Sequence, residues 1–107
     1  MKQTDNHYAI ICNAFKKETS FIQIDTSLEN IRKILDCEMV ESVQLFSYPP
    51  TYMLLDEEAR IRDIEKREFR LYDWDLVNKA IIIGIEGGEF TDVGFKLHDI
   101  LENVKYG

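Results

Sequence analysis

Residues Asp75 to Asp92 read DLVNKAIIIGIEGGEFTD, and the choice of fold turns on this stretch. Its centre, Ala80-Ile81-Ile82-Ile83, is the most apolar and β-branched segment of the chain. β-Branched side chains are stiff at χ1 and suit the pleated surface of a sheet. No polar residue alternates with them, so the segment is expected to be a strand buried on both faces. Glu86-Gly87-Gly88-Glu89 then predicts a hairpin-like turn, because glycine reaches positive φ without steric cost. Phe90 is expected in a short edge strand and Asp92 as a helix cap.

Working outward to the C-terminus, Leu97, Ile100, Leu101 and Val104 recur at helical spacing and predict an amphipathic helix over about 93–104. Towards the N-terminus, Tyr8–Phe15 and Phe21–Asp25 read as strands joined by the polar turn Lys16-Lys17-Glu18-Thr19-Ser20. Alternation places Phe21 and Gln23 on one face of the second strand and Ile22 and Ile24 on the other. Thr26-Ser27-Leu28-Glu29 matches a capping box, and Leu28, Ile31, Ile34 and Leu35 follow as an apolar stripe, predicting a helix over about 26–36. Met39–Phe46 reads as a third strand, with Met39, Val43 and Leu45 on one side and Val40 and Phe46 on the other. Tyr48-Pro49-Pro50 ends it, since two prolines cannot continue a central strand. Thr51–Leu55 resumes as a fourth strand, and Asp56-Glu57-Glu58 forms its turn.

The segment Ala59–Trp74 supports two readings. Residues 59–64 alternate like an exposed strand, whereas Ile61, Ile64, Glu68 and Leu71 also fit one face of a charged helix. The whole pattern is α+β: a mostly antiparallel sheet of about five strands with two amphipathic helices packed on it.

At 107 residues the chain is expected to be one domain, 1–107, with residues 1–7 as a polar tail. With 45% hydrophobic and 31% charged residues, neither disorder nor membrane embedding is expected. No apolar run approaches the roughly 20 residues that cross a bilayer, and MKQTDNH lacks the apolar core of a signal peptide. A cytoplasmic protein without a membrane partner is the expectation. Twenty acidic against 13 basic residues give a net charge of -7, which argues against direct nucleic-acid binding and towards a basic partner or simple solubility. Cys12 and Cys37 are too few for a disulfide framework and are expected to be free, buried thiols.

Signatures of catalysis and metal binding are weak. His7 and His98 have no second histidine or cysteine at ligand spacing, so no metal site is expected. Asp73 with Asp75, or Glu86 with Glu89 and Asp92, lack the spacing of a calcium loop, and solvated turns explain them more simply. Ser20, Ser27, Ser42 and Ser47 have no G-x-S-x-G context, and Gly87-Gly88 lacks the surroundings of a phosphate cradle. Neither enzymatic activity nor a cofactor is expected.

A strand ending in Leu54-Leu55-Asp56-Glu57-Glu58-Ala59 is followed by a polar middle. Then comes a D-x-V-x-K-A-I-I-I-G strand, Asp75 to Gly84, and finally Glu89-Phe90-Thr91-Asp92. Over roughly Asp25 to Asp92 this order resembles a group of short phage and plasmid proteins known as domain of unknown function 3846. Where that group has an asparagine-rich segment after the acidic turn, this chain has IRDIEKREFRLYDWD. The resemblance implies carriage by a mobile element and transfers no catalytic residues.

The strongest binding candidate is Phe69-Arg70-Leu71-Tyr72-Asp73-Trp74-Asp75. Tyr, Trp and Arg carry much of the energy of protein interfaces, since they bury large area with few rotatable bonds. The blander reading is that Trp74 and Leu71 plug one end of the core. If the two segments adjoin, Asp73, Asp75, Glu86, Glu89 and Asp92 form an acidic rim around an aromatic anchor. The partner-binding residues are then Arg70, Tyr72, Asp73, Trp74, Asp75, Glu86 and Glu89. The leading expectation is a non-catalytic acidic protein of a phage or plasmid that binds a basic or nucleic-acid-binding protein. Inhibition of a host defence nuclease such as a CRISPR effector is its sharpest form. The alternative is a small-molecule or nucleotide-binding module. A third reading is a homodimer formed through a sheet edge or the C-terminal helix.

Overall fold

The computed structural model describes residues 5–107. The fold is α+β, and every strand pairing in it is antiparallel. The chain runs β1 (Asn6–Asn13), β2 (Glu18–Asp25), α1 (Leu28–Leu35), β3 (Val40–Phe46), β4 (Thr51–Asp56), β5 (Glu68–Leu71), β6 (Trp74–Val77), β7 (Lys79–Glu86), β8 (Glu89–Thr91), α2 (Leu97–Leu101) and β9 (Val104–Tyr106). The principal sheet has six strands in the order β2-β1-β7-β4-β3, with β8 also paired to β7.

Strand β7 is the Ala80–Ile83 strand expected from sequence, and both its faces are covered. Ala80 and Ile82 point into one core with Ile10, Met53, Phe69, Leu71, Leu76 and Ile100. Ile81 and Ile83 point into a second core with Ala9, Ile24, Leu54 and the α1 residues Ile31 and Leu35. Each isoleucine so buried contributes roughly 1.5–3 kcal/mol. Two glycines with positive φ, Gly87 and Gly88, close the β7–β8 hairpin, and Glu86 stands opposite Glu89. Gly84 is required for a different reason. A Cβ there would run into Thr91 Oγ1 and come within 2.9 Å of the Asp92 carbonyl oxygen.

Residues Asp75 to Asp92 hold strands of two different sheets. Asp75–Val77 belong to β6, in a three-stranded sheet ordered β6-β5-β9, which the sequence reading does not contain. Asn78, at φ 67°, lets the chain cross from one sheet to the other. Its side chain accepts from Arg67 N at 2.7 Å, and its Nδ2 donates to Glu65 O at 3.2 Å. The small sheet and α2 cover one face of the large sheet, and α1 covers the other.

Both helices are shorter than expected. Thr26 N bonds Asp5 O, and the Thr26 hydroxyl donates to the same oxygen, so Thr26 still extends the β1–β2 ladder. Ser27 is therefore the N-cap, accepting from Asn30 N at 3.2 Å, instead of a Thr26–Glu29 box. Helix α2 covers Leu97–Leu101, not 93–104. Asn103 turns the chain through bonds to Ile100 O and Asp99 O, and Val104 leaves the helical stripe to pair with Leu71. Asp92 caps no helix; its Oδ1 accepts from Tyr8 N at 2.9 Å.

Three smaller differences follow from local bonding. Asn6 and His7, expected in the polar tail, are the first residues of β1; residues 1–4 of that tail lie outside the described residues. A register shift between Gln44 and Phe46 turns Phe46 to the Leu45 side, where its ring lies 4.7 Å from Phe95 and 5.0 Å from Tyr72. Residues 59–64 form neither of the two expected elements. Arg62 pairs with Asp56 and donates to Asp36 O, and Lys66 donates to Arg62 O, so side chains hold the loop before β5 begins.

Candidate functional site

The β5–β6 hairpin sorts the aromatic cluster by its register. Phe69 pairs with Leu76 and Leu71 with Trp74, so these four share the inner face, while Arg70 and Asp75 share the outer one. Phe69, Leu71 and Leu76 are buried against the large sheet. Arg70 Nε meets Asp75 Oδ1 at 3.1 Å in an exposed pair. Tyr72 and Asp73 make the turn, with Tyr72 at φ 53° and its amide donating to Asn103 O. The Tyr72 ring is half-buried edge-on to Phe46, and burial raises its phenol pKa. Asp73 is exposed.

Trp74 alone of the inner-face residues is open to solvent, at 41% exposure. It sits on the edge strand of the small sheet, beside the β3–β4 hairpin. There it forms one wall of a groove of about 220 Å³. Val43, Leu55, Ala59, Leu76 and Val77 make its floor, and Glu41, Asp56, Glu57, Asp75 and Arg60 its charged parts. Four carboxylates thus line the groove with Arg60, and Asp75 is already paired with Arg70 on the outer face of the hairpin. Asp56 is matched by Arg62, whereas Glu41 and Glu57 enter no ion pair among the described residues. Arg60 reaches across and donates to Asp75 O at 2.7 Å, so a guanidinium already rests at the groove's edge.

The structure does not bring all the expected site residues together. Trp74 and Asp75 line the groove, Arg70 reaches it only through Asp75, and Tyr72 packs at the Phe46 end of the hairpin. Glu86 and Glu89 face each other across the β7–β8 turn, in the other sheet, and line no part of the groove. Its acidic wall comes from Glu41 and Glu57. No local signal marks them, because only tertiary packing sets β3 and β4 beside β6.

The remaining reactive groups are dispersed. Burial pushes the Cys12 thiol up to about 11, and Cys37, half-buried beside Asp56 and Arg62, is also raised, chiefly by desolvation. His7 Nδ1 lies 3.2 Å from Thr26 Oγ1, and His98 pairs with Glu102 one helical turn on. Among the described residues no three His, Cys, Asp or Glu side chains converge as a metal site would require. No described helix is long and apolar enough to cross a membrane.

No curated protein and no solved structure matches the chain. A family model does, over residues 7–104, from the first ladder of the large sheet to the last strand of the small one. The chain therefore belongs to the family described as domain of unknown function (DUF3846).

Proposed function

We propose that this protein is a non-catalytic binding protein of the cytoplasm whose groove between Trp74 and the β3–β4 hairpin takes a basic segment of a protein partner. One observation carries the reading: the only tryptophan of the sequence stands exposed as the wall of a groove lined by Glu41 and Glu57, two carboxylates that enter no ion pair among the described residues. A Lys or Arg side chain entering there stacks on the indole face, an attraction worth about 0.5–2 kcal/mol depending on desolvation. Its charge then faces Glu41, Glu57 and Asp75. Arg60, whose guanidinium donates to the Asp75 backbone carbonyl, already rests at the groove's edge. The net charge of -7 adds long-range attraction for a basic partner and speeds encounter.

The narrower form of the reading is a mobile-element protein that occupies the positively charged nucleic-acid groove of a host defence nuclease. The acidity of the chain motivates that form. This groove suits a small molecule less well than a protruding side chain, since its volume of about 220 Å³ falls below the roughly 300–1,000 Å³ of ordinary ligand pockets. The testing experiment is affinity capture from a nuclease-treated bacterial lysate with the wild-type chain and Trp74→Ala. The proposal expects a stoichiometric basic protein, released by salt and lost with the variant. A partner kept equally by both would place binding elsewhere.

A further inference from the structure

We infer that the protein forms a two-fold dimer by antiparallel pairing of β2 with the β2 of a second copy. Strand β2 lies at one end of the large sheet, and among the described residues nothing pairs with its outer side. An open strand edge offers unpaired N–H and C=O groups to another strand. The other edges are poor templates by comparison. β3 is broken by its register shift at Gln44–Phe46 and carries Glu41, while β6 and β9 have only 4 and 3 residues. β2 has 8 residues, continuous register with β1 throughout, and no charge between Glu18 and Asp25. Phe21 and Ile22 are 43% and 42% exposed, on opposite faces of that edge.

The backbone direction of β2 fixes which residues do the pairing. Tyr8 O accepts from Val93, Tyr8 N donates to Asp92, and Ala14 N donates to Asn78, all on the side of β1 away from β2. Even-numbered residues of β1 therefore turn their backbone groups away from β2. Their partners, Gln23 opposite Tyr8, Phe21 opposite Ile10 and Thr19 opposite Cys12, must turn theirs to the open edge. A two-fold axis through Phe21 lets that residue bond its own copy and sets Thr19 against Gln23. The same register carries Lys17, the turn residue just before β2, to the Asp25 end of the partner strand, twice, by symmetry. It also joins the two apolar hollows lined by Phe21, Val93, Phe95 and Leu97 on one side of the sheet. The occupant is thus a second copy: the edge is complementary to itself in hydrogen bonding, charge and apolar surface.

Sedimentation equilibrium across a concentration series tests this, with three variants checked for fold by circular dichroism. Gln23→Pro removes an outward N–H without breaking the internal ladder, and it is expected to weaken self-association at least tenfold, about 1.4 kcal/mol. Lys17→Glu sets like charges at the Asp25 end and is expected to weaken it several-fold. Phe21→Cys, in a Cys37→Ser background, is expected to cross-link to its copy on oxidation, whereas Ser42→Cys on β3 is not. A chain that stays monomeric to millimolar concentration overturns the inference. So does a dimer equally tight in Lys17→Glu and in folded Gln23→Pro, or one cross-linked through position 42 and not 21.

Discussion

Leu71 and Trp74 stand opposite each other across the turn of β5 and β6, yet Leu71 is fully buried and Trp74 is 41% exposed. They point to the same face of the small sheet. Leu71 lies over the large sheet, and Trp74 lies past it, over the groove beside β3 and β4. One hairpin therefore anchors itself with one residue and offers the next to solvent.

This difference predicts unequal costs on truncation. Leu71→Ala leaves a cavity in a packed core and is expected to destabilise by about 2–5 kcal/mol. Trp74→Ala is expected to cost on the order of 1 kcal/mol, since the indole is only partly desolvated. Urea unfolding of both variants checks the ordering. A larger loss at Trp74 than at Leu71 would show that the indole serves the core.

Gly84 makes a second prediction from space alone. Gly84→Ala is expected to destabilise by about 1–3 kcal/mol, because β8 passes too close for a Cβ. Adding Thr91→Ala should recover only part of that loss, as the Asp92 carbonyl stays 2.9 Å from the new carbon. Full recovery in the double variant would mean that only the Thr91 side chain is in the way.

Asn78 is the point where the chain changes sheets. Asn78→Ala loses two side-chain bonds to the 65–67 backbone and forces alanine to φ 67°. A loss of about 2–3 kcal/mol is expected, with Asn78→Gly recovering the conformational part but not the bonds. Thermal melts of the two variants separate these contributions.

Alkaline stability follows from Cys12. The thiol titrates at about 11 in the folded chain against an ordinary 9.0, because burial disfavours the thiolate. Below pH 9 it is protonated in both states, and its contribution is fully present. Between pH 9 and 11 the unfolded chain ionises first, so stability falls as pH rises, by on the order of 3 kcal/mol at the limit. Tyr106, pushed up to about 12 mainly by burial, acts in the same direction at higher pH. Cys12→Ala should flatten the fall between pH 9 and 11 in denaturant titrations. An unchanged slope would assign the alkaline loss to other groups.

The parts of this fold that sequence shows are those written in local periodicity. Ala80–Ile83 announces a doubly buried strand because no polar residue interrupts it, and Gly87-Gly88 announces its turn because few other residues reach positive φ at both positions. The small sheet is hidden for the opposite reason. Asn78 and Lys79 look like a polar pair inside one apolar run, and the αL backbone of Asn78 separates β6 from β7. Val104 keeps helical spacing with Leu97 and Leu101 although it pairs with Leu71, so periodicity and tertiary pairing conflict and pairing prevails. Trp74 and Asp75 were legible as binding candidates from residue type. Glu41 and Glu57 were not, since their place beside Trp74 depends on one sheet crossing another.

Trp74 is the only tryptophan in the chain, so its fluorescence reports on the groove directly. Titrating the protein with lysine- and arginine-rich peptides at low salt is the most direct test of a groove built for cations. A saturable change in indole emission is expected. It should be weakened by added salt and by Glu41→Gln with Glu57→Gln, and strengthened by Arg60→Ala, which withdraws the resident guanidinium. Emission that stays constant through the titration, or changes equally in the Glu41/Glu57 variant, would contradict basic-partner binding at this site.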